Sequence, residues 1–243
     1  MGYFHIVNFD GEFSVNDIIE TDDGFVNSEV KRIINTHTFD EGADPYYCAY
    51  RIFISEQIRK GGGLAILPHP YWVCFGEYNC QTNDLRYLLK NRHFDVFEVF
   101  GGCDKEWYGN NLQLSVWQEI CAECGYISVV GASDSHTSYE GDGFFNRQFS
   151  LVFAKDKKDI KSAIKNGFSV AVGKHGNNEY TAVGKFRLVK YARFLLAEYF
   201  PLYEKYTKLH ADLLRNAQKS GVTEDLIRIE EKIRQFKKDF FGF

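Results

Sequence analysis

Four short apolar runs, each separated from the next by a helical pattern, constrain this chain more than any other feature of its sequence. Asp44-Pro45 predicts a helix start, with Asp as cap and Pro in the first turn. Tyr47, Tyr50, Ile54 and Ile58 then fall on one face, and Gly61-Gly62-Gly63 ends the helix. The strand "LAIL" (64–67) follows. Leu85, Leu88 and Leu89 mark a short helix leading into the strand "DVFEVF". Leu112, Val116, Ile120 and Cys124 recur at four-residue spacing, Gly125 closes that helix, and "YISVVGA" is the next strand. Ile160, Ala163 and Ile164 form a helix ended by Gly167, before "FSVAV". Apolar strands alternating with helices imply parallel strands, right-handed crossovers and helices outside. A barrel and a doubly wound sheet both satisfy that pattern; the polar residues gathered at the strand ends favour a barrel.

Those ends carry the chemistry. "LAILP" delivers His69 between Pro68 and Pro70, neither of which can donate a ladder hydrogen bond. "DVFEVF" places Glu98 late in its strand, and "YISVVGAS" delivers Asp134 and His136, two apart and able to point the same way if extended. Upstream, "YFHIVNF" alternates like a strand and carries His5. In parallel α/β folds the carboxyl ends of the strands share one face, where active sites form. His5, His69, Asp134 and His136 are nitrogen and oxygen donors suited to Zn, Mn or Fe. In hydrolysis such ions acidify a water and neutralise charge developing on a phosphoryl or carbonyl oxygen. No GxSxG elbow supports serine chemistry, and the glycines at 61–63 lack the GK[ST] of a phosphate-cradling loop.

Composition removes other classes. With 44% hydrophobic and 26% charged residues the chain reads as globular, and its net charge of −4 gives no electrostatic reason to expect nucleic acid or an anionic membrane. No stretch approaches the roughly 20 apolar residues of a membrane span, and the N-terminus does not read as a signal peptide. Six cysteines in 243 residues are no disulfide framework, and the CAEC pair, Cys121 and Cys124, reads as core thiols of a reduced protein. A cytoplasmic location is the expectation.

The pattern changes near residue 185. Leu195, Tyr199, Leu202, Tyr206, Leu209 and Leu213 form one heptad-like seam, and Leu226, Ile229, Ile233, Phe236 and Phe240 another. Ser220-Gly221, with a cap at Thr223, separates them, and Pro201 is placed to kink the first helix. The expected domains are therefore an α/β portion, 1–185, and a helical hairpin, 186–243.

"LAILPHPYW", "FDVFEVFGG" and "VVGASDSHT" resemble the later motifs of PHP (polymerase and histidinol phosphatase) domains, in the family's order and over about residues 3 to 173. The resemblance matches His69 to the family's late histidine and His5, in "FHIV", to its middle one. Gly131-Ala132-Ser133-Asp134-Ser135-His136 matches its final GSDxH motif with Ala132 inserted. It implies a metal-dependent hydrolase, a phosphoesterase by preference, on a distorted (β/α)7 TIM-like barrel that binds up to three divalent ions. The family's opening HxH, Asp, TDH-like and Glu motifs precede the strand matching "FHIV". The resemblance thus implies an N-terminally incomplete, truncated barrel with fewer ions and impaired activity. His5 and His69 would share one ion, Asp134 would serve another and His136 a third.

The implied partner is a small phosphorylated substrate, with carbamate or amide as an alternative class. A non-catalytic binding or regulatory module is the rival reading, and self-association through the C-terminal helices or the open barrel edge is expected. Glu98 either orients a ligand histidine or pairs with a basic residue at the barrel mouth. Tyr71 and Trp72 either wall the pocket or pack in the core, and Arg147 either grips a phosphate or forms a surface ion pair. His37, His93, His175 and His210 read as surface residues.

Overall fold

Leu64 and Ile66 pack on one face of a strand whose Ala65 and Leu67 pack on the other, and all four are buried. The run is continuously apolar because both faces are covered. In this computed structural model the described residues are 5–74, 76–101, 108–135, 147–174, 179–220 and 224–242. By its internal contacts the chain divides into two units, Met1–Leu188 and Val189–Phe243.

The first unit holds a four-stranded sheet of β1 (Val7–Phe9), β2 (Leu64–Leu67), β5 (Val96–Phe100) and β6 (Ser128–Gly131), in the order β1-β2-β5-β6. β2, β5 and β6 are mutually parallel, whereas β1 runs antiparallel to β2. A two-stranded ribbon, β3 (Val73–Cys74) and β4 (Glu77–Tyr78), follows the Pro-His-Pro turn. Helices α1 (Val15–Thr21), α2 (Asp23–Thr36), α3 (Pro45–Lys60), α4 (Thr82–Lys90) and α5 (Tyr108–Cys124) come before β6. Asp44 caps α3 as its sequence requires, its carboxylate accepting the N–H groups of Tyr46 and Tyr47 at 2.9 and 3.0 Å, with Pro45 in the first turn. One face of the sheet belongs to a large cluster containing Ile52, Phe53, Phe97, Leu88 and Ile120. The other face has a small cluster of Leu64, Ile66, Val96, Val130 and Ile164.

Beyond β6 the parallel alternation stops. β7 (Gln148–Val152), β8 (Ser169–Lys174) and β9 (Tyr180–Gly184) make a separate antiparallel sheet, with the short helix α6 (Ile160–Lys165) between β7 and β8. Serine hydroxyls carry the junction. Ser150 Oγ accepts the Gly131 N–H and donates to the Gly131 carbonyl, both at 2.9 Å, and Ser169 Oγ donates to the Val129 carbonyl at 2.6 Å. The Gly131 N–H and carbonyl and the Val129 carbonyl, on the side of β6 away from β5, are thus taken by side chains, and the strands among the described residues form no closed barrel. "FSVAV", expected as another parallel strand, is the central antiparallel strand β8.

The second unit is helical. α7 (Phe186–Phe194) crosses the division between the units and runs into a π-helical turn, Leu195–Tyr199; α8 (Phe200–Ser220) and α9 (Glu224–Phe241) follow. The π turn ends just before Pro201, whose missing N–H breaks the regular ladder there. The π turn meets α9 through Tyr199 on Phe236 (5.3 Å), and α8 meets it through Tyr206 on Phe236 (5.4 Å) and His210 Nε2 with Glu230 (3.2 Å). Tyr199 and Tyr206 belong to the expected seam, whereas its Leu202 and Leu209 are 45% and 49% exposed. Thr223 lies outside the described residues. Among the described residues no helix is long and apolar enough to cross a membrane.

Candidate metal centre

Past Leu67, at the carboxyl end of β2, His69 adopts a φ of +23°, a region that residues other than glycine rarely enter. Its neighbours impose the turn. The His69 N–H donates to Glu98 Oε1 at 3.0 Å, and its carbonyl accepts the Trp72 N–H at 3.0 Å. The two prolines contribute only acceptors: the Pro68 carbonyl takes Asn79 Nδ2 at 3.2 Å, and the Pro70 carbonyl takes the Cys80 N–H at 2.9 Å. The proline frame therefore does more than end a strand. It fixes one imidazole.

That imidazole is held at both nitrogens. Nδ1 lies 3.0 Å from Glu98 Oε1, and Nε2 lies 2.8 Å from His5 Nδ1. The His5 and His69 rings meet edge to face at 5.1 Å, while Trp72 stacks on His5 at 5.2 Å. The His5 N–H donates to Asn79 Oδ1 at 3.0 Å, so Asn79 braces both histidine segments. His69 is 5% exposed and Glu98 3%. With Glu98 ionised, its oxygens can only accept, which puts the proton on His69 Nδ1 and leaves the Nε2 lone pair facing His5 Nδ1.

Burial pushes the His69 pKa down, but the Glu98 hydrogen bond, the Glu98 charge and the charge of Asp134 together raise it above the usual imidazole value. Burial raises Glu98 as well, opposed by its bonds to His69 and reinforced by Asp134. Asp134 therefore lies within electrostatic reach of both. Like His69 it has positive φ, +51°, a conformation that aspartate tolerates better than most residues.

Glu98 is itself aimed by an irregularity in β5. The β5–β6 register slips between Glu98 and Phe100, so Glu98 opposes Val130 and Phe100 opposes Gly131, leaving Val99 as the extra residue. Gln113 Nε2, from α5, donates to the Val99 carbonyl at 3.1 Å and approaches the Glu98 carbonyl at 3.4 Å. It also donates to Asn110 Oδ1 at 3.2 Å, which in turn accepts the Gly101 N–H at 2.8 Å. A Cβ on Gly101 would fall 1.5 Å from Glu98 Oε1, so only glycine leaves room for this carboxylate.

The remaining sequence candidates are placed as follows. His136 and His175 lie outside the described residues. Tyr71 is buried in the large cluster and its hydroxyl is hydrogen-bonded to Thr82 Oγ1 at 3.1 Å, so it packs rather than lines a surface pocket. Arg147 is exposed at the start of β7. His37 and His93, read as surface residues, are half-buried and face each other at 5.5 Å. Cys121 accepts the Ile127 N–H at 3.4 Å. Trp72, expected to wall a pocket or pack in the core, is instead the stacking partner of His5. Asn79, Asn110 and Gln113 gave no sequence signal, because amides in loops and in the first two turns of a helix are ordinary.

Donor chemistry decides the fit to a metal. Two imidazole nitrogens face one another, one of them fixed by a carboxylate, as in the carboxylate–histidine arrangement of metal sites. His5 and His69 would hold an ion together, with Asp134 a second carboxylate within electrostatic reach of His69 besides Glu98. Among the described residues no three His, Cys, Asp or Glu side chains are already arranged around one ion position. No protein-family model, no curated protein and no solved structure matches the chain.

Proposed function

We propose that this chain is a metal-dependent hydrolase of the PHP type, acting on a phosphoester of a small molecule. The observation that carries the reading is the relay Glu98–His69–His5, in which a buried carboxylate turns an imidazole lone pair toward a second imidazole. The polar ends of β2, β5 and β6 on one side of the sheet support it. His5 and His69 hold a Zn, Mn or Fe ion in this reading, and Asp134 and His136 are the further ligands. A bound ion supplies an acidified water and charge neutralisation at the phosphoryl oxygens. The chain's own part is to orient: Glu98 keeps the proton on Nδ1, Asn79 fixes the approach of His5, and Trp72 backs its ring. A cytoplasmic enzyme is part of the proposal.

Metal analysis and catalysis test it together. Purified chain loaded with Zn or Mn and then desalted is expected to retain metal, to lose it in His69→Ala while remaining folded, and to hydrolyse an aryl phosphate with manganese. Wild-type chain that retains no metal after loading defeats the reading. Metal retention without turnover of phosphate, carbamate or amide esters would instead favour a non-catalytic ion-binding module. The lack of a ready three-ligand shell among the described residues is the observation on that side.

A further inference from the structure

The bulge in β5 decides which side chain faces the relay. Val96 belongs to the small cluster and Phe97 and Val99 to the large one, the alternation of a regular strand. Continued regularly, that alternation would put Phe100 on the same face as Glu98, beside His69. Instead Phe100 joins Phe97 and Val99 in the large cluster and is 2% exposed. The extra residue, Val99, turns the aromatic ring away and leaves the face to the carboxylate.

A bulge leaves backbone groups without ladder partners, and buried ones must find others. Gln113 provides for these: its Nε2 is bonded to the Val99 carbonyl and reaches the Glu98 carbonyl, and the side chain is 1% exposed. Asn110 extends the clamp to Gly101, the residue against which the Glu98 carboxylate lies. A buried glutamine on the core face of α5 has no evident packing advantage over leucine. Its position is explained by the carbonyls it meets.

We propose that Gln113 is a positioning residue of the metal centre: by satisfying the bulged carbonyls of β5 it aims Glu98 at His69 and so fixes the His69 tautomer. The inference rests on the reading of His5 and His69 as metal ligands only for its effect on metal affinity; the tautomer is a property of the metal-free chain.

The test uses the full chain and two variants, Gln113→Glu, which keeps the shape and loses the donor, and Gln113→Leu, which removes all polarity. In metal-free protein at pH 8, imidazole nitrogen NMR reads which His69 nitrogen carries the proton. Wild type is expected to show Nδ1–H alone, and both variants a mixture with Nε2–H. Manganese affinity, read by chelator competition, is expected to fall at least tenfold in both, as for other lost partners of metal ligands. Folded variants in which His69 keeps the wild-type tautomer overturn the proposal, as does wild type lacking Nδ1–H. Failure of both variants to fold also overturns it, since Gln113 would then be structural only. A shifted tautomer in chains that bind no manganese upholds Gln113 and defeats the hydrolase reading instead.

Discussion

Glu98 and His69 are joined twice through one oxygen: Oε1 accepts the His69 backbone N–H and meets its Nδ1, each at 3.0 Å. Backbone and ring are therefore fixed by the same buried atom. Glu98→Gln keeps an acceptor but removes the charge that holds the tautomer, and is expected to weaken Zn or Mn binding tenfold or more. Glu98→Ala leaves two buried donors without an acceptor and is expected to cost about 2 kcal/mol, a fall in Tm of about 4–8 °C. Chelator competition and thermal melting monitored by circular dichroism read the two effects separately.

Gly101→Ala tests the same carboxylate from the other side. The new methyl would sit 1.5 Å from Glu98 Oε1, so the carboxylate must leave its place. The expected result is a loss of metal affinity like that of Glu98→Gln, with about 1–3 kcal/mol of destabilisation from overpacking. Wild-type affinity in a folded Gly101→Ala chain would show that the carboxylate is not confined there.

Asn79 links the two histidine segments through Oδ1 to the His5 N–H and through Nδ2 to the Pro68 carbonyl, and it is buried. Asn79→Asp retains the first bond and loses the second, while Asn79→Ala loses both. Metal affinity is expected to fall in the order wild type, Asp, Ala. Denaturant unfolding is expected to show about 1–3 kcal/mol lost in the alanine variant.

His93 sets a pH dependence of stability independent of the metal centre. Burial, then the neighbouring His37 and the charge of Arg59, lower its pKa to about 4. Its Nε2 is buried with no hydrogen-bond partner, and its ring packs on Tyr87 at 5.5 Å. Between pH 6.5 and about 4 the unfolded chain binds a proton at this position that the folded chain refuses. Stability contributed by neutral His93 is thus complete above pH 6.5 and declines as pH falls toward 4, then levels off. With allowance for the partly exposed ring, the change is about 1–2 kcal/mol. Urea unfolding of wild type and His93→Asn at pH 7.5 and pH 4.5 should show the larger loss in wild type.

The sequence disclosed those features of the fold that depend on local chemistry. Asp44-Pro45, Gly125 and Gly167 bound their helices where the residues require it, the two glycines at φ of +81° and +71°. The strands β2, β5, β6 and β8 lie on the apolar runs that suggest them. Strand direction did not follow, because an antiparallel β8 and a parallel one have the same apolar pattern when both faces are buried. At the site, His69 was legible from its strand end and Glu98 from its late place in "DVFEVF"; His5 was legible as a residue of the alternating "YFHIVNF", although it lies just before β1, which runs antiparallel to β2. The bulge was not, since a one-residue slip leaves no trace in composition. Nor were Gln113 and Asn110, whose importance comes from which carbonyls lie opposite them.

The serine-terminated border of β6 bears on self-association. With the outward groups of Val129 and Gly131 already engaged by Ser169 and Ser150, a strand from another molecule could add there only by evicting two hydroxyls and the sheet that carries them. Pairing between copies by sheet extension is thereby discouraged on that flank. Any such recruitment falls to the opposite flank, where β1 offers a template of only three residues.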